Sequence, residues 1–255
     1  MSWGTYWGVD SESQANQPPG GTTGSTLLEV VKKQYGEIPA FWGRYLNVAP
    51  KLDATEAKFL LNNIVSIYVL YTAESVSDGV SGGSTDASNA MSILKTLQEN
   101  AVGGQEACTI FADIEAGNAG NVASSTIAGY MAAWANTIKN DGGGVYFPGF
   151  YMPTDSGNAN PFGCAYSDAI SLSGNVKNAL IASPEPEPGC FNPPGPSTGS
   201  PDVFYCNGNQ YGSSQLAIWQ YADAEGCAPD TCYGTPCVDL DTVQSFSPNN
   251  IPMFW

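Results

Sequence analysis

The stretch that decides the fold is Thr109-Ile110-Phe111-Ala112-Asp113-Ile114-Glu115-Ala116-Gly117. A short apolar run leads into two carboxylates that a single isoleucine separates. In a β-strand, side chains at i and i+2 project from the same face, with Cα atoms roughly 6.5 Å apart. Asp113 and Glu115 are therefore predicted to lie side by side at the end of one strand, where the chain turns.

Two adjacent carboxyl groups at a strand end have two interpretations. The chemical one is glycoside hydrolysis, which needs a protonated carboxyl group for the leaving oxygen and a carboxylate for the developing positive charge. The structural one is an acidic, solvated turn after a buried strand. The spacing fits both interpretations, so the rest of the sequence has to decide between them.

The composition argues against some classes of binding partner and favours others. The chain has 255 residues, 42% of them hydrophobic, which is enough for one large barrel or two small domains with a core. Acidic residues outnumber basic ones 24 to 8, giving a net charge of −16. This charge argues against nucleic acid and against an anionic membrane surface as partners. A neutral or weakly charged glycan fits better, although the charge also serves solubility alone.

The sequence contains no histidine. Catalysis by Ser-His-Asp or Cys-His groups and zinc sites with histidine ligands are therefore excluded. Acid and base roles fall to carboxylates, tyrosine, lysine or cysteine. We expect carboxylate chemistry with no metal and no cofactor.

Seven cysteines are present, none in a Cys-x-x-Cys pair, which disfavours a zinc ribbon. Disulfides formed in an oxidising compartment are the better explanation. Cys108 opens a buried strand and is predicted to be the free thiol, and the other six allow 15 pairings. No signal peptide and no membrane-spanning run is visible. We expect an extracellular or cell-wall-associated monomer in its mature form.

Strands and helices alternate over the first 175 residues. Strands are predicted at 5–9, 40–46, 64–71, 108–114, 144–151, 179–182, 216–221 and 238–243. Helices are predicted at 26–35, from Asp53 onward, at 86–100, at 122–139 and, in short form, at 167–172. Residues 79–84 are predicted as a loop, and residues 184–215 as a long loop rich in proline and glycine.

Alternating β-α units favour a parallel sheet, and eight strands in this length fit a barrel. The predicted fold class is α/β: an irregular TIM-like barrel of about five β-α units, followed by three strands with few helices. We expect one domain over 1–255, with 184–215 as a loop insertion and the apolar tail 251–255 packed on the body.

In such a barrel, the active site lies at the carboxyl ends of the strands. Polar and aromatic residues are predicted to meet there from five strands, and this convergence favours the functional interpretation. They are Asp10, Asp113, Glu115, Tyr151, Trp219, Gln220, Tyr221, Asp239 and Asp241.

Several motifs in order resemble a known family. Gly8-Val9-Asp10, Asp113-Ile114-Glu115, Trp219-Gln220-Tyr221 and Val238-Asp239-Leu240-Asp241 resemble the family 25 glycoside hydrolases, lysozymes of the Chalaropsis type. Trp42-Gly43-Arg44-Tyr45-Leu46, followed by residues 51–56 and 64–68, is similar to the domain of unknown function 1906, a related glycoside-hydrolase-like group. The cysteines and the loop at 184–215 have no counterpart in that pattern.

The resemblance implies an irregular barrel that cleaves the β-1,4 bonds of peptidoglycan or a related amino-sugar polymer with net retention. It implies that Glu115 is the general acid. Asp113 then either stabilises the oxocarbenium-like state or orients the acetamido group of the substrate. Asp10 matches the strand-one aspartate. Asp239 best matches the strand-eight aspartate, with Asp241 as the other option.

The resemblance and the strand positions give further candidates for binding substrate: Arg44, Tyr71, Tyr151, Trp219, Gln220 and Asp241. Arg44 is expected to pair with a carboxylate of the cleft. Two other functions stay open. One is a catalytically inactive barrel that binds a glycan or the cell wall, and the other is an interaction protein whose contact surface is the loop at 184–215.

Overall fold

The structure is a computed structural model that describes residues 6–19, 23–154, 161–184, 201–222, 238–243 and 251–255. Its strands are β1 (Tyr6–Asp10), β2 (Phe41–Tyr45), β3 (Ser66–Thr72), β4 (Cys108–Asp113), β5 (Tyr146–Tyr151), β6 (Leu180–Pro184), β7 (Phe204–Cys206), β8 (Asn209–Tyr211), β9 (Leu216–Ala222) and β10 (Asp239–Val243). Eight of them close a barrel in the order β1-β10-β9-β6-β5-β4-β3-β2. The predicted irregular TIM-like barrel is confirmed.

The helices are α1 (Leu27–Tyr35), α2 (Ala54–Asn62), α3 (Val80–Val102), α4 (Ala116–Ala119), α5 (Ser124–Asp141) and α6 (Pro161–Leu172). Local sequence sets the ends of the first two. Thr26 and Glu29 form a capping box at the start of α1, and Gly36 ends it with left-handed backbone at φ 80°. Asp53 caps α2 by accepting hydrogen bonds from two backbone amides, as predicted. None of the described helices is long and apolar enough to cross a membrane.

One strand departs from the predicted parallel sheet. Strands β1 to β6 and β9 run parallel, whereas β10 is antiparallel to both of its neighbours, β1 and β9. The amino end of β10 therefore lies at the barrel mouth, where the parallel strands have their carboxyl ends. A strand's direction depends on how the chain returns to the sheet, which strand periodicity does not encode.

Strand alternation divides the barrel residues into two cores. The inner core fills the barrel and consists of Phe41, Tyr45, Tyr68, Leu70, Phe111, Tyr151, Leu180, Ala182, Ala217, Ile218, Val243 and Met253. The larger outer core packs the barrel wall against the helices. Glycines make room for inner aromatic rings: a Cβ at Gly8 would collide with the ring of Phe41, and one at Gly149 with Phe111.

The carboxy-terminal residues 251–255 close the amino end of the barrel. Trp255 exchanges two backbone hydrogen bonds with Ile67 at the start of β3, at 2.7 and 3.0 Å. Phe254 stacks on Phe41, with ring centroids 4.7 Å apart. The predicted packing of this tail on the body is confirmed.

Three predictions of local structure are wrong. Residues 79–84 are not a loop, because α3 begins at Val80, and Gly82 and Gly83 let it approach Ser75 and Tyr130 closely. The third strand begins at Ser66 rather than at 64, because Ile64 has left-handed backbone at φ 62°. The predicted short helix at 167–172 is a longer one, α6.

The predicted loop at 184–215 contains the antiparallel hairpin β7–β8. A disulfide between Cys164 on α6 and Cys206 on β7 holds the hairpin against the helix. Gly163 allows the backbone of Tyr205 to come close beside this bond. Cys108 is a buried free thiol, as predicted. Cys190, Cys227, Cys232 and Cys237 lie outside the described residues, as do residues 185–200 of the predicted loop.

Candidate active site

Acidic side chains from three strands meet inside the mouth of the barrel. Asp10 ends β1 and pairs in register with Asp239, the first residue of β10. Asp241 lies opposite Gly8, one layer deeper, and is fully buried. A Cβ at Gly43 would collide with that of Asp10 and lie 2.8 Å from the ring of Tyr68. Glycine at 43 therefore leaves the space that the Asp10 side chain occupies.

The predicted carboxylate pair lies on the wall formed by β4. The side chain of Asp113 accepts a hydrogen bond from Thr72 Oγ1 at 3.4 Å and is 6% exposed. Glu115 follows the strand and is half-buried at the rim. Asn118 fixes the turn between them, since its Nδ2 donates to the Asp113 carbonyl at 2.8 Å and its Oδ1 accepts from the Glu115 amide at 2.9 Å.

These carboxyl groups fall into two pairs, Asp113 with Glu115 and Asp10 with Asp241, whose members shift each other's pKa. Burial raises the pKa of Asp113, and the adjacent Glu115 carboxylate raises it further. Burial also raises the pKa of Glu115. Burial and then the charge of Asp241 raise the pKa of Asp10, while burial and then the charge of Asp239 raise that of Asp241. Two carboxylates close together away from water cannot both ionise at low cost, so the burial and proximity of these groups favour a protonated member in each pair.

Tyrosines surround these acids, and two of them were not among the predicted residues. Tyr151 donates its hydroxyl proton to Gln220 Oε1, which brings two predicted residues together inside the barrel. Tyr45 and Tyr68 also project inward. Burial raises the pKa of Tyr45, and the charges of Asp10 and Asp113 raise it further, which places this ring between the two acidic walls.

The signal for the missed tyrosines was present in the sequence. The i, i+2 rule that pairs Asp113 with Glu115 also pairs Gly43 with Tyr45 on β2, and Tyr68 with Leu70 on β3. Applied to β2 and β3, it gives the inward positions of Tyr45 and Tyr68 that the structure shows.

The same alternation places three candidate residues outside the barrel. Tyr71 packs on Trp134 of α5, with ring centroids 5.9 Å apart. Trp219 contacts Tyr221 and belongs to the outer core. Arg44 projects from β2 toward α2. Each of these residues is next in sequence to an inward-facing residue. Neighbouring residues in a strand point to opposite faces, so a prediction that is off by one position selects the wrong face.

The predicted pairing of Arg44 with a cleft carboxylate is wrong. Its Nε donates to Glu56 Oε1 at 2.9 Å, and both side chains are fully buried. Its remaining nitrogens donate to the carbonyls of Ser11 and Pro50 at 2.6 and 2.7 Å. Arg44 therefore ties β2 to α2 and to the loop after β1, and it leaves the acids of the mouth without its charge.

No group of three or more acidic or cysteine side chains in the described ranges is arranged to hold a metal ion. The chemistry that this arrangement supports directly is proton transfer and stabilisation of positive charge by carboxylates.

The chain has recognisable relatives among known protein families and solved structures. The family model for the Rv2525c-like, glycoside hydrolase-like domain matches residues 40–185. This match confirms the resemblance to glycoside-hydrolase-like domains. No protein of curated function matches the chain.

Solved structures share the fold over nearly the whole chain. An uncharacterized B. stearothermophilus protein has a TM-score of 0.69 at 26% identity, covering 98% of this chain and 100% of its own. The Mycobacterium tuberculosis Tat-secreted protein Rv2525c has a TM-score of 0.51 at 14% identity, covering 95% and 96%. The Clostridium perfringens spore cortex lytic enzyme SleM has a TM-score of 0.52 at 12% identity, covering 94% and 67%.

Proposed function

Because the chain belongs to the Rv2525c-like, glycoside hydrolase-like domain family, we propose that it is a retaining glycoside hydrolase. Its substrate is peptidoglycan or a related amino-sugar polymer, cleaved at β-1,4 bonds. The observation that carries the proposal is the Asp113–Glu115 carboxyl pair at the mouth of the barrel, where burial raises the pKa of both groups. A glycosidase needs one carboxyl group protonated and its neighbour ionised, and this pair supports both states.

The two carboxyl groups differ in exposure, and this difference suggests their roles. Glu115 is half-buried at the rim, and its raised pKa favours the protonated form, so it can donate a proton to the glycosidic oxygen. Asp113 lies deeper and is held by Thr72. It stabilises the positive charge that develops on the sugar, either directly or by orienting the acetamido oxygen of the substrate. Asp10 and Asp239 form the opposite wall, and Tyr151 and Gln220 contribute to the side of the cleft.

The protein acts on this polymer outside the cell, as a single-domain monomer in this proposal. The disulfide between Cys164 and Cys206 supports an oxidising location. The net charge of −16 argues against nucleic acid as a partner.

The test is release of reducing ends from purified peptidoglycan, and from chitin in parallel, by the unmodified protein and by Glu115→Gln. Glu115→Gln keeps the shape of the side chain but has no proton to donate, so release should fall by at least about 10³-fold. Glu99→Gln, an exposed acid on α3, is the matched control. Retention is checked by NMR, which identifies the first anomer formed. Equal activity of Glu115→Gln and the unmodified protein would refute the assignment of Glu115 as the general acid.

A second candidate function is glycan binding without turnover. The observation that favours it is the burial of Asp10 and Tyr151, which are 2% and 4% exposed and so lie out of reach of a sugar bound at the rim. Binding of peptidoglycan fragments by a folded protein that releases no reducing ends from either polymer would establish this alternative.

A further inference from the structure

The carboxyl end of β3 is held by an asparagine side chain from the loop that follows β2. The two strands pair in parallel as far as Tyr45 and Leu70. Beyond that point the Asn47 side chain accepts a hydrogen bond from the Thr72 amide at 2.9 Å and donates one to the Thr72 carbonyl at 2.8 Å. Its Nδ2 also donates to Glu74 Oε1 at 3.2 Å. Both ends of the Asn47 amide group are bonded, so Asn47 fixes the backbone of Thr72.

Thr72 lies directly beside Asp113 on the neighbouring strand. The two residues pair in register between β3 and β4, and the Ala73 amide donates to the Asp113 carbonyl at 3.1 Å. Paired residues of adjacent strands project from the same face of a sheet. The Thr72 hydroxyl accordingly reaches the Asp113 side chain, with Oγ1 donating to Oδ2 at 3.4 Å. A chain of contacts therefore runs from Asn47 through Thr72 to a carboxyl group of the candidate site.

The Thr72 hydroxyl acts on Asp113 in the opposite direction to its ionisable neighbours. Burial raises the pKa of Asp113 most, and the charges of Glu115 and Glu12 raise it further, whereas the hydrogen bond from Thr72 lowers it. A donor favours the ionised form because it binds a carboxylate more strongly than a neutral carboxyl group. The ionisable groups that act on Asp113 or pair with it are acids and tyrosines, which supply no positive charge: Glu12, Tyr45, Tyr68, Glu115, Tyr130 and Tyr151.

We propose that Asn47 and Thr72 are positioning residues that hold a hydroxyl donor against Asp113 and so favour its ionised form, leaving the proton on Glu115. This inference rests on the proposed function for the roles of the two carboxyl groups. Retaining hydrolysis needs the acid protonated and its neighbour ionised. Proximity of two carboxyl groups does not decide which one keeps the proton, whereas a donor fixed beside one of them favours ionisation of that one.

The chain offers substitutions that separate the hydroxyl from the shape of its residue. Thr72→Val keeps the branched side chain and the backbone groups that Asn47 contacts, but it has no hydroxyl. Thr72→Ser keeps the hydroxyl. Asn47→Ala keeps the hydroxyl of Thr72 and removes the two bonds that hold its backbone. Thr96→Val, at an exposed threonine on α3, is the matched control.

The experiment is an NMR titration of the side-chain carboxyl carbons of ¹³C-labelled aspartates. It is carried out in the Glu115→Gln background, where Asp113 titrates without its coupled partner, and Asp113→Asn identifies the resonance. Thr72→Val should raise the pKa of Asp113 by about one unit, and Asn47→Ala should raise it by a part of that shift. Thr72→Ser and Thr96→Val should leave it unchanged.

The same substitutions have an expected effect on catalysis when Glu115 is present. The acid limb of the pH profile of kcat/KM for glycan release reports ionisation of Asp113 in the proposed mechanism. Thr72→Val should move this limb upward by about the shift that the titration measures, and Thr72→Ser should leave it in place. A role of Thr72 in packing alone would not separate these two variants in this way.

An unchanged pKa of Asp113 in Thr72→Val, or an equal rise in Thr72→Ser, would overturn the inference. A pKa that Asn47→Ala does not move would remove Asn47 from it. The titration requires no turnover. If Thr72→Val raises the pKa but the unmodified protein releases no reducing ends from any polymer, the hydrolase is refuted and the positioning stands. Release of reducing ends with an unmoved pKa would do the reverse.

Discussion

The side chain of Asn118 spans the Asp113–Glu115 turn, accepting from the Glu115 amide at 2.9 Å and donating to the Asp113 carbonyl at 2.8 Å. The Asn118 side chain bonds to backbone atoms of both residues. Asn118 therefore positions the two carboxyl groups by fixing the backbone to which they are attached. We interpret it as a positioning residue for the proposed acid.

Asn118→Ala removes both bonds and should lower kcat by about 10- to 100-fold with little change in KM, because a misplaced acid weakens the transition state more than substrate binding. Asn118→Asp keeps the acceptor, loses the donor and adds a charge beside Glu115. It should therefore also shift upward the alkaline limb of the pH profile, where activity is lost as Glu115 gives up its proton to solvent. Asn100→Ala, an exposed asparagine at the end of α3, is the control. A loss of stability with unchanged kcat and pH profile would mean that Asn118 is only structural.

Gly43 and Gly104 offer a matched pair of alanine substitutions. A Cβ at Gly43 would collide with that of Asp10, whereas a Cβ at Gly104 meets nothing within 4 Å. Gly43→Ala should cost about 1–3 kcal/mol of unfolding free energy and displace the Asp10 side chain. Gly104→Ala should leave both stability and activity near those of the unmodified protein. Chemical denaturation and a glycan-release assay measure the two effects, and equal behaviour of the two variants would contradict the packing described for Asp10.

Arg44 is predicted to affect stability rather than glycan binding. Arg44→Met leaves Glu56 buried without its partner, so it should destabilise the fold by about 3–5 kcal/mol. Adding Glu56→Gln to Arg44→Met removes the unpaired charge and should recover a part of that loss. Denaturant unfolding measures both variants. If Arg44→Met weakens glycan binding while its stability is unchanged, the placement of Arg44 in the outer layer is wrong.

Stability should fall as pH rises from about 5 to about 8. The folded-state pKa values of Asp10, Asp113 and Asp241 lie above the ordinary value of 3.8, so the folded protein holds protons that the unfolded chain has released. That contribution is complete below the unfolded pKa and is lost as pH rises through the folded values. The chain has no histidine, so no imidazole titrates in this window, and the buried Glu115, whose pKa is also raised, adds to the effect in the same direction.

Thermal unfolding across that pH range measures the effect. The melting temperature should decline toward higher pH, and Asp10→Asn should flatten the decline because it removes a titrating member of the Asp10–Asp241 pair. A melting temperature that is constant or rises over the range would show that these carboxyl groups are ionised in the folded protein at every pH tested.

Much of the fold could be predicted because its signals are local. The apolar runs before Asp10 and Asp113 indicated buried strands, Asp53 indicated the start of a helix, and Gly36 its end. The first turns of α3, from Val80 up to the predicted start at residue 86, were missed because glycines normally oppose helices. Here Gly82 and Gly83 are tolerated because another element packs against each of them.

The sequence by itself determined which strands carry carboxylates, that histidine chemistry is excluded, and that Asp113 and Glu115 share a face. These follow from residue type and from a period of two within one strand. Only the tertiary structure decided that β10 runs antiparallel, bringing Asp239 beside Asp10 and placing Asp241 below them. It also decided that Arg44 pairs with Glu56 and that Tyr45 lies between the acidic walls. Contacts between segments far apart in the chain depend on strand direction and on which face is buried, and no local pattern fixes either.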